Sequence, residues 1–176
     1  KVIQAVLESK LLTKIDKNIT GFHCATVLHC AAENKYSHKP LAYLLRNAKK
    51  FNLNINQLDD YHENIFNRAC EFGTKETVKC VLQNTKKYGI DLNMRDIDAN
   101  TPFHIACFKG RLQIVEILLK NSKKHKINIF SIGMDGKDGQ ALAKEENHTK
   151  VVKLIADWKR KYPNDSFNQI LNQLKD

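Results

Sequence analysis

Two short pairs, His23-Cys24 and His29-Cys30, place imidazole and thiol side chains side by side, the ligand types that zinc prefers. The other cysteines, Cys70, Cys80 and Cys107, stand far apart, and no CxxC pair occurs among the five. A nucleophilic thiol needs a neighbouring base and a lowered pKa. The sequence around these cysteines supplies neither. No Gly-rich phosphate loop, HExxH or GxSxG pattern occurs. The chemistry-bearing side chains therefore point to no catalytic residue, no metal site and no cofactor. An odd number of cysteines without paired spacing argues against a secreted disulfide framework. It fits a reducing intracellular compartment, cytoplasmic or nuclear.

The elements that hold these residues follow a period. Four runs join a basic pair to a ring: Asn47-Ala48-Lys49-Lys50-Phe51, Asn84-Thr85-Lys86-Lys87-Tyr88, Asn121-Ser122-Lys123-Lys124-His125 and Trp158-Lys159-Arg160-Lys161-Tyr162. Each follows the last by 37 residues. A fixed period of this size marks a stacked repeat array, whose identical units offer an extended surface for binding rather than a crevice for catalysis. The chain is 42% hydrophobic and 27% charged, which suits a folded protein. No apolar run approaches the ~18 residues of a membrane span. It begins at Lys1, and we expect a piece of something longer.

One unit reads clearly. Thr101-Pro102 opens a short helix, since Thr caps well and Pro suits the first helical position. Phe103, Ala106 and Cys107 give it an apolar face, and Gly110 ends it. A second helix from about Leu112 carries Ile114, Val115, Ile117, Leu118 and Leu119, a stripe broad enough for burial on most sides. Lys120, Lys123 and Lys124 crowd its end, where cations suit the helix dipole. Ile127-Asn128-Ile129 reads as a short extended stretch. The same register recurs at Thr26-Val27-Leu28-His29 and Asn64-Ile65-Phe66-Asn67, with one extra residue in the turn Tyr36–Pro40.

Thr101-Pro102-Phe103-His104-Ile105-Ala106, Gly110, Ile114-Val115 and Leu118-Leu119 resemble the ankyrin repeat. The resemblance covers about residues 20–157. It implies an all-α solenoid of helix-turn-helix units with short β-hairpin fingers. Ankyrin repeats usually run to ~33 residues, so each unit here has about four more, in an outer helix longer by a turn or in a longer loop. We expect a half-repeat or cap helix at 1–18 and repeats at 19–56, 57–93 and 94–130. A degenerate repeat at 131–163 and a capping helix at 164–176 complete the array. In the family, the histidine slot occupied by His29 and His104 bonds between loops, which explains His29 without zinc. Cys70 and Cys107 take the place of a small buried alanine. Asn56 and Asn93 sit where some ankyrin asparagines are hydroxylated, although an Asn bonding its own turn accounts for them.

The resemblance implies binding through the fingertips and the exposed side of each first helix. The candidates are Phe22, His23, Glu33 and Asn34; Asp60, Tyr61, Glu63, Glu71 and Phe72; and Ile97, Asp98, Asn100, Phe108 and Lys109. The fourth unit offers Met134, Asp135, Lys137, Glu145 and Glu146. This surface is locally acidic, although 29 Lys+Arg against 19 Asp+Glu leave the chain at +10. A partner segment with Lys or Arg and apolar anchors would fit it. A second surface is the column Lys49, Lys50, Lys86, Lys87, Lys123, Lys124, Arg160 and Lys161. Its expected pitch is about 10 Å, the separation of packed helices.

We expect a monomeric, non-catalytic, non-membrane-spanning scaffold that binds a protein. The alternatives are a binder of anionic targets (nucleic acid, acidic protein or phospholipid) through the basic column, or an ankyrin-type inhibitor of a transcription factor.

Overall fold

The computed structural model describes residues 20–163, so the expected caps at 1–18 and 164–176 lie outside the described residues. The chain divides into two compact units, Lys1–Asp91 and Leu92–Asp176. Described residues of the first form a 3-10 turn at Phe22–Cys24, then α1 Val27–Ala32, α2 Lys39–Arg46, α3 Ile65–Glu71 and α4 Lys75–Tyr88. Those of the second form α5 Pro102–Phe108, α6 Leu112–His125, α7 Gly139–Glu145 and α8 Thr149–Lys161. Short and long helices alternate. In each unit short packs on short and long on long, with each short helix also on its following long one.

Each short helix starts at a polar cap because its first N–H groups have no partner within the helix. Thr26 Oγ1 accepts from Leu28 N at 3.3 Å, and His29 Nδ1 accepts from Thr26 N at 3.1 Å. Asn64 Oδ1 accepts from Phe66 N and Asn67 N, while Asn67 returns a contact to Asn64 N. Thr101 and His104 repeat the histidine half of the first arrangement, with His104 Nδ1 accepting from Thr101 N at 3.2 Å. Asp138 caps α7 through Ala141 N at 2.8 Å. The worn capping run of the fourth repeat thus still starts a helix, by a carboxylate in place of a hydroxyl. Such a cap contributes about 1 kcal/mol. Gly139 takes the place of the proline because a Cβ there would lie 2.9 Å from the Phe103 ring and 3.0 Å from Cys107 Sγ.

The apolar stripes of the two helices in each repeat meet in the core. Leu28, Leu41, Leu44, Leu45, Ile65, Phe66 and Val81 are buried in the first unit. Phe103, Ile114, Leu118, Ile127, Val151 and Ile155 are buried in the second. Cys70 and Cys107 are fully enclosed, like Ala32 at the matching position. The extra residues per repeat lengthen the outer helix in three cases. Lys86-Lys87-Tyr88, Lys123-Lys124-His125 and Lys159-Arg160-Lys161 all lie in last turns of helices. Lys49-Lys50-Phe51 instead lies in the turn after α2.

Strand fingers are not found: the described residues contain no strand, and Ile127–Ile129 is buried without pairing as one. Each finger is a tight turn. Asp59 N donates to Glu63 O at 3.1 Å, Asp96 N to Asn100 O at 3.0 Å and Gly133 N to Lys137 O at 3.0 Å. His62, Ala99 and Gly136 close these turns with φ of 57°, 58° and 74°. Side chains take the N–H groups that a strand ladder would use. Asp59 Oδ1 accepts from Tyr61 N and Glu63 N, and Asp96 Oδ1 from Asp98 N and Asn100 N. Asp and Asn side chains that bond the local backbone compete with sheet formation in this way.

Candidate functional site

In the first unit the candidate residues gather around Arg68, on the outward side of α3. Its guanidinium lies 2.6 Å from Asp59 Oδ2, 2.8 Å from Glu63 Oε2 and 3.5 Å from Glu33 Oε1. It also stands over two rings, 5.4 Å from the Tyr61 centroid and 6.0 Å from that of Phe72. Such contacts are attractive because a cation meets the negative face of a π system. Burial works against the Arg68 charge, but Asp59 and Glu63 outweigh it and raise its pKa further. Burial is also the main cause that raises Glu33, with Arg68 opposing and Glu71 adding to the rise.

This geometry sorts the expected residues. Tyr61 is 37% exposed, and Phe72, Glu33 and Glu71 are half-buried. Glu63 is a correction: it is buried, held by Arg68 and by Asp59 through its own N–H, so it supports the surface rather than lining it. The side chain of Asp59 is fully enclosed. His23 stacks against Tyr61 at 4.9 Å, with its Nε2 3.2 Å from the Tyr61 hydroxyl. Asp60 is exposed, and its N–H donates to His23 O. Phe22 lies in the 3-10 turn. Asn34 has a local task, since its Oδ1 accepts from Tyr36 N and Ser37 N. Arg68 itself escaped the sequence reading. Its signal is the register, because Cys30, Arg68, Ile105 and Leu142 recur at the repeat period.

The second unit presents a different chemistry at the same register. Ile105 and Leu142 replace the arginine, and Phe108 is 42% exposed at the end of α5. The fingertips carry Ile97, 50% exposed, and Met134, 74% exposed. These two fingers are joined by Met134 N donating to Asp98 O. Charged side chains accompany these residues in the second unit. Lys137 meets Asp135 at 3.3 Å and Glu145 at 2.7 Å, and Lys109 stands 5.4 Å over the Phe108 ring. Asp98 is exposed and Asn100 half-buried.

The histidines act in the scaffold. His29 Nδ1 accepts from the Thr26 backbone, so Nε2 carries the proton and donates to Glu63 O at 3.1 Å. His104 Nε2 is buried with no partner at full hydrogen-bond geometry among the described residues, although backbone groups of Ser131 and Lys137 lie close enough to favour its protonated form. Burial is the first cause lowering the pKa of both. Asn56 and Asn93 bond backbone, donating to Tyr88 O and Lys126 O at 2.9 Å each. Burial raises the thiols of Cys80 and Cys107, which suits core packing and not nucleophilic attack. Lys49, Lys50, Lys86, Lys87, Lys123, Lys124, Arg160 and Lys161 are all exposed. No helix among the described residues is long and apolar enough to cross a membrane.

Comparison with curated proteins found no match. A family model described as ankyrin repeats, in three copies, matches residues 28–131. With the repeated caps and alternating helices, this places the chain in the ankyrin-repeat family, whose members are generally protein–protein interaction modules and typically non-catalytic.

Proposed function

We propose that the chain recognises a protein segment through its fingertips and the exposed ends of its short helices. The observation that carries this reading is the exposure of Tyr61, Ile97 and Phe108 at those positions. Exposed large apolar side chains mark interaction sites and aromatic residues lead binding hot spots, which here means Tyr61 in the first unit and, taken by itself, Ile97 and Phe108 in the second. Around them stand His23, Glu33, Asp60, Glu71 and Phe72 in the first unit, and Asp98, Asn100 and Lys109 in the second.

The partner's chemistry follows from charge. One guanidinium, Arg68, faces Asp59, Glu63 and Glu33, with Glu71 beside them. The excess is negative, so a Lys or Arg flanked by apolar anchors is the complementary segment. Glu33 and Glu71 are the half-buried carboxylates of this group, whereas Asp59 and Glu63 are enclosed against Arg68.

The test is affinity capture from cell extract with the full chain and with Tyr61→Ala/Phe72→Ala/Phe108→Ala. Proteins retained by the first and lost by the second support the reading. An identical set of captured proteins overturns it.

A further inference from the structure

We propose that Arg95 is a positioning residue of the second unit's recognition surface, a clasp that joins finger 96–100 to finger 131–137 and so fixes Met134 relative to Ile97. The inference deepens the reading above and rests on it. Arg95 is exposed, yet three hydrogen bonds hold its guanidinium. Nη1 donates to Ala99 O at 2.6 Å, in one finger, and to Ile132 O at 2.9 Å, in the other. Nη2 donates to Ser131 Oγ at 2.7 Å. All three acceptors are uncharged and belong to the fingers. A planar fork of donors can bridge several acceptors from one side chain, which suits it to this task.

Three observations give the clasp a role in recognition. First, Ile97 and Met134 are exposed, so their places follow from the backbone of their fingers more than from packing. Second, the direct contact between the fingers is weak. Met134 N donates to Asp98 O at 3.3 Å, which is long for such a bond. Ala99 holds a left-handed φ of 58°, which residues other than glycine disfavour, and Arg95 bonds the carbonyl of that residue. The fingers also approach closely, since a Cβ on Gly133 would lie 2.8 Å from Asn100 Oδ1. Third, the fold of a finger does not call for arginine here. Leu58 and Ile132 occupy the same place 37 residues before and after. In the first unit the corresponding backbone bond, Asp60 N to His23 O at 3.1 Å, forms with Leu58 in that place and is accompanied by the His23–Tyr61 contact. The guanidinium is thus particular to the finger pair that carries Ile97 and Met134. Holding binding groups in place before a partner arrives lowers the ordering cost of association.

The test is a double-mutant cycle of Arg95→Met and Met134→Ala in the full chain. The probe is the peptide, among those the chain selects from a random library, whose affinity Ile97→Ala weakens most. Arg95→Met is expected to weaken its binding about tenfold in the otherwise unchanged chain, and less than about threefold beside Met134→Ala. Amide exchange at Met134 is expected to quicken about tenfold in Arg95→Met, because the contact between the fingers opens more often. An equal loss in both backgrounds overturns the proposal, since an arginine that touches the peptide, or only stabilises the fold, acts independently of Met134. Unchanged exchange at Met134 also overturns it. If Met134→Ala weakens the probe and Arg95→Met does not, the proposal falls and the recognition reading stands. If Ile97→Ala weakens no selected peptide, the recognition reading of this unit fails and takes the proposal with it.

Discussion

Replacing Arg68 by Met is expected to be the most damaging single change on the binding face. The guanidinium is the shared counter-charge of Asp59, whose side chain is fully enclosed, and Glu63, whose side chain is 6% exposed. Met fills much of the same volume but carries no charge. Asp59 Oδ2 then loses contacts of 2.6 Å and 2.7 Å, while Oδ1 keeps the N–H groups of Tyr61 and Glu63. Glu63 Oε2 loses its 2.8 Å contact. Removing one partner of a buried pair costs about 3–5 kcal/mol. The retained N–H bonds on Asp59 place the expected loss near the middle of that range, about 4 kcal/mol. The half-exposed contact to Glu33 adds at most about 1 kcal/mol. Urea denaturation followed by far-UV circular dichroism reads the loss. Hydrogen exchange at the amides of Tyr61 and Glu63 reports whether the finger opens with it. Adding Asp59→Asn and Glu63→Gln to Arg68→Met removes the stranded charges and is expected to recover at least half the loss. A cost under about 1 kcal/mol for Arg68→Met, or a triple variant no more stable than the single one, would refute the reasoning.

The buried histidines give the fold a pH dependence of known sign. Burial holds His29 and His104 below the ordinary value of 6.5, so the unfolded chain takes up protons first. Stability is full above pH 6.5 and falls as the pH drops from there toward the folded pKa, by at most about 1.4 kcal/mol per pH unit per histidine. His29→Asn/His104→Asn copies the natural Asn64–Asn67 cap and is expected to flatten urea midpoints between pH 7 and 5; an unchanged slope contradicts this. Gly110→Ala is expected to cost about 2–3 kcal/mol, from a left-handed residue and a lost hydrogen bond. Gly110 has φ +62°, and a Cβ would lie 2.5 Å from the His148 ring, which bonds Phe108 O at 2.9 Å. Gly89→Ala, at the same φ with open space around it, is expected to cost only about 1–2 kcal/mol, and equal midpoints for the two variants would contradict the packing argument.

The repeat was legible because each structural task falls on a few residues at fixed offsets. Thr26, Asn64, Thr101 and Asp138 all cap, and the capped helices start one residue later. The dibasic runs located the ends of α4, α6 and α8, but not the shorter α2. Arg68 was not legible as the centre of a surface. Its acidic partners come from 5, 9 and 35 residues away, and only folding places them on one guanidinium. Glu63 was assigned to the groove by the family resemblance, and its enclosure by Arg68 and Asp59 arises only in the fold. The hairpin fingers were an implication of the family resemblance and not a reading of the finger residues. Their carboxylates, bonding the finger's own backbone, set the turn instead.

Selection of a random peptide library on the full chain tests the recognition surface most directly. Enriched peptides are expected to pair Lys or Arg with a large apolar residue. Their binding should weaken about thirtyfold or more in Tyr61→Ala/Phe108→Ala, the loss of a single hot spot being about 2 kcal/mol. It should be unchanged in Lys86→Gln/Lys124→Gln. Acid-rich peptides that survive the aromatic variant and are lost with the lysine variant would contradict it.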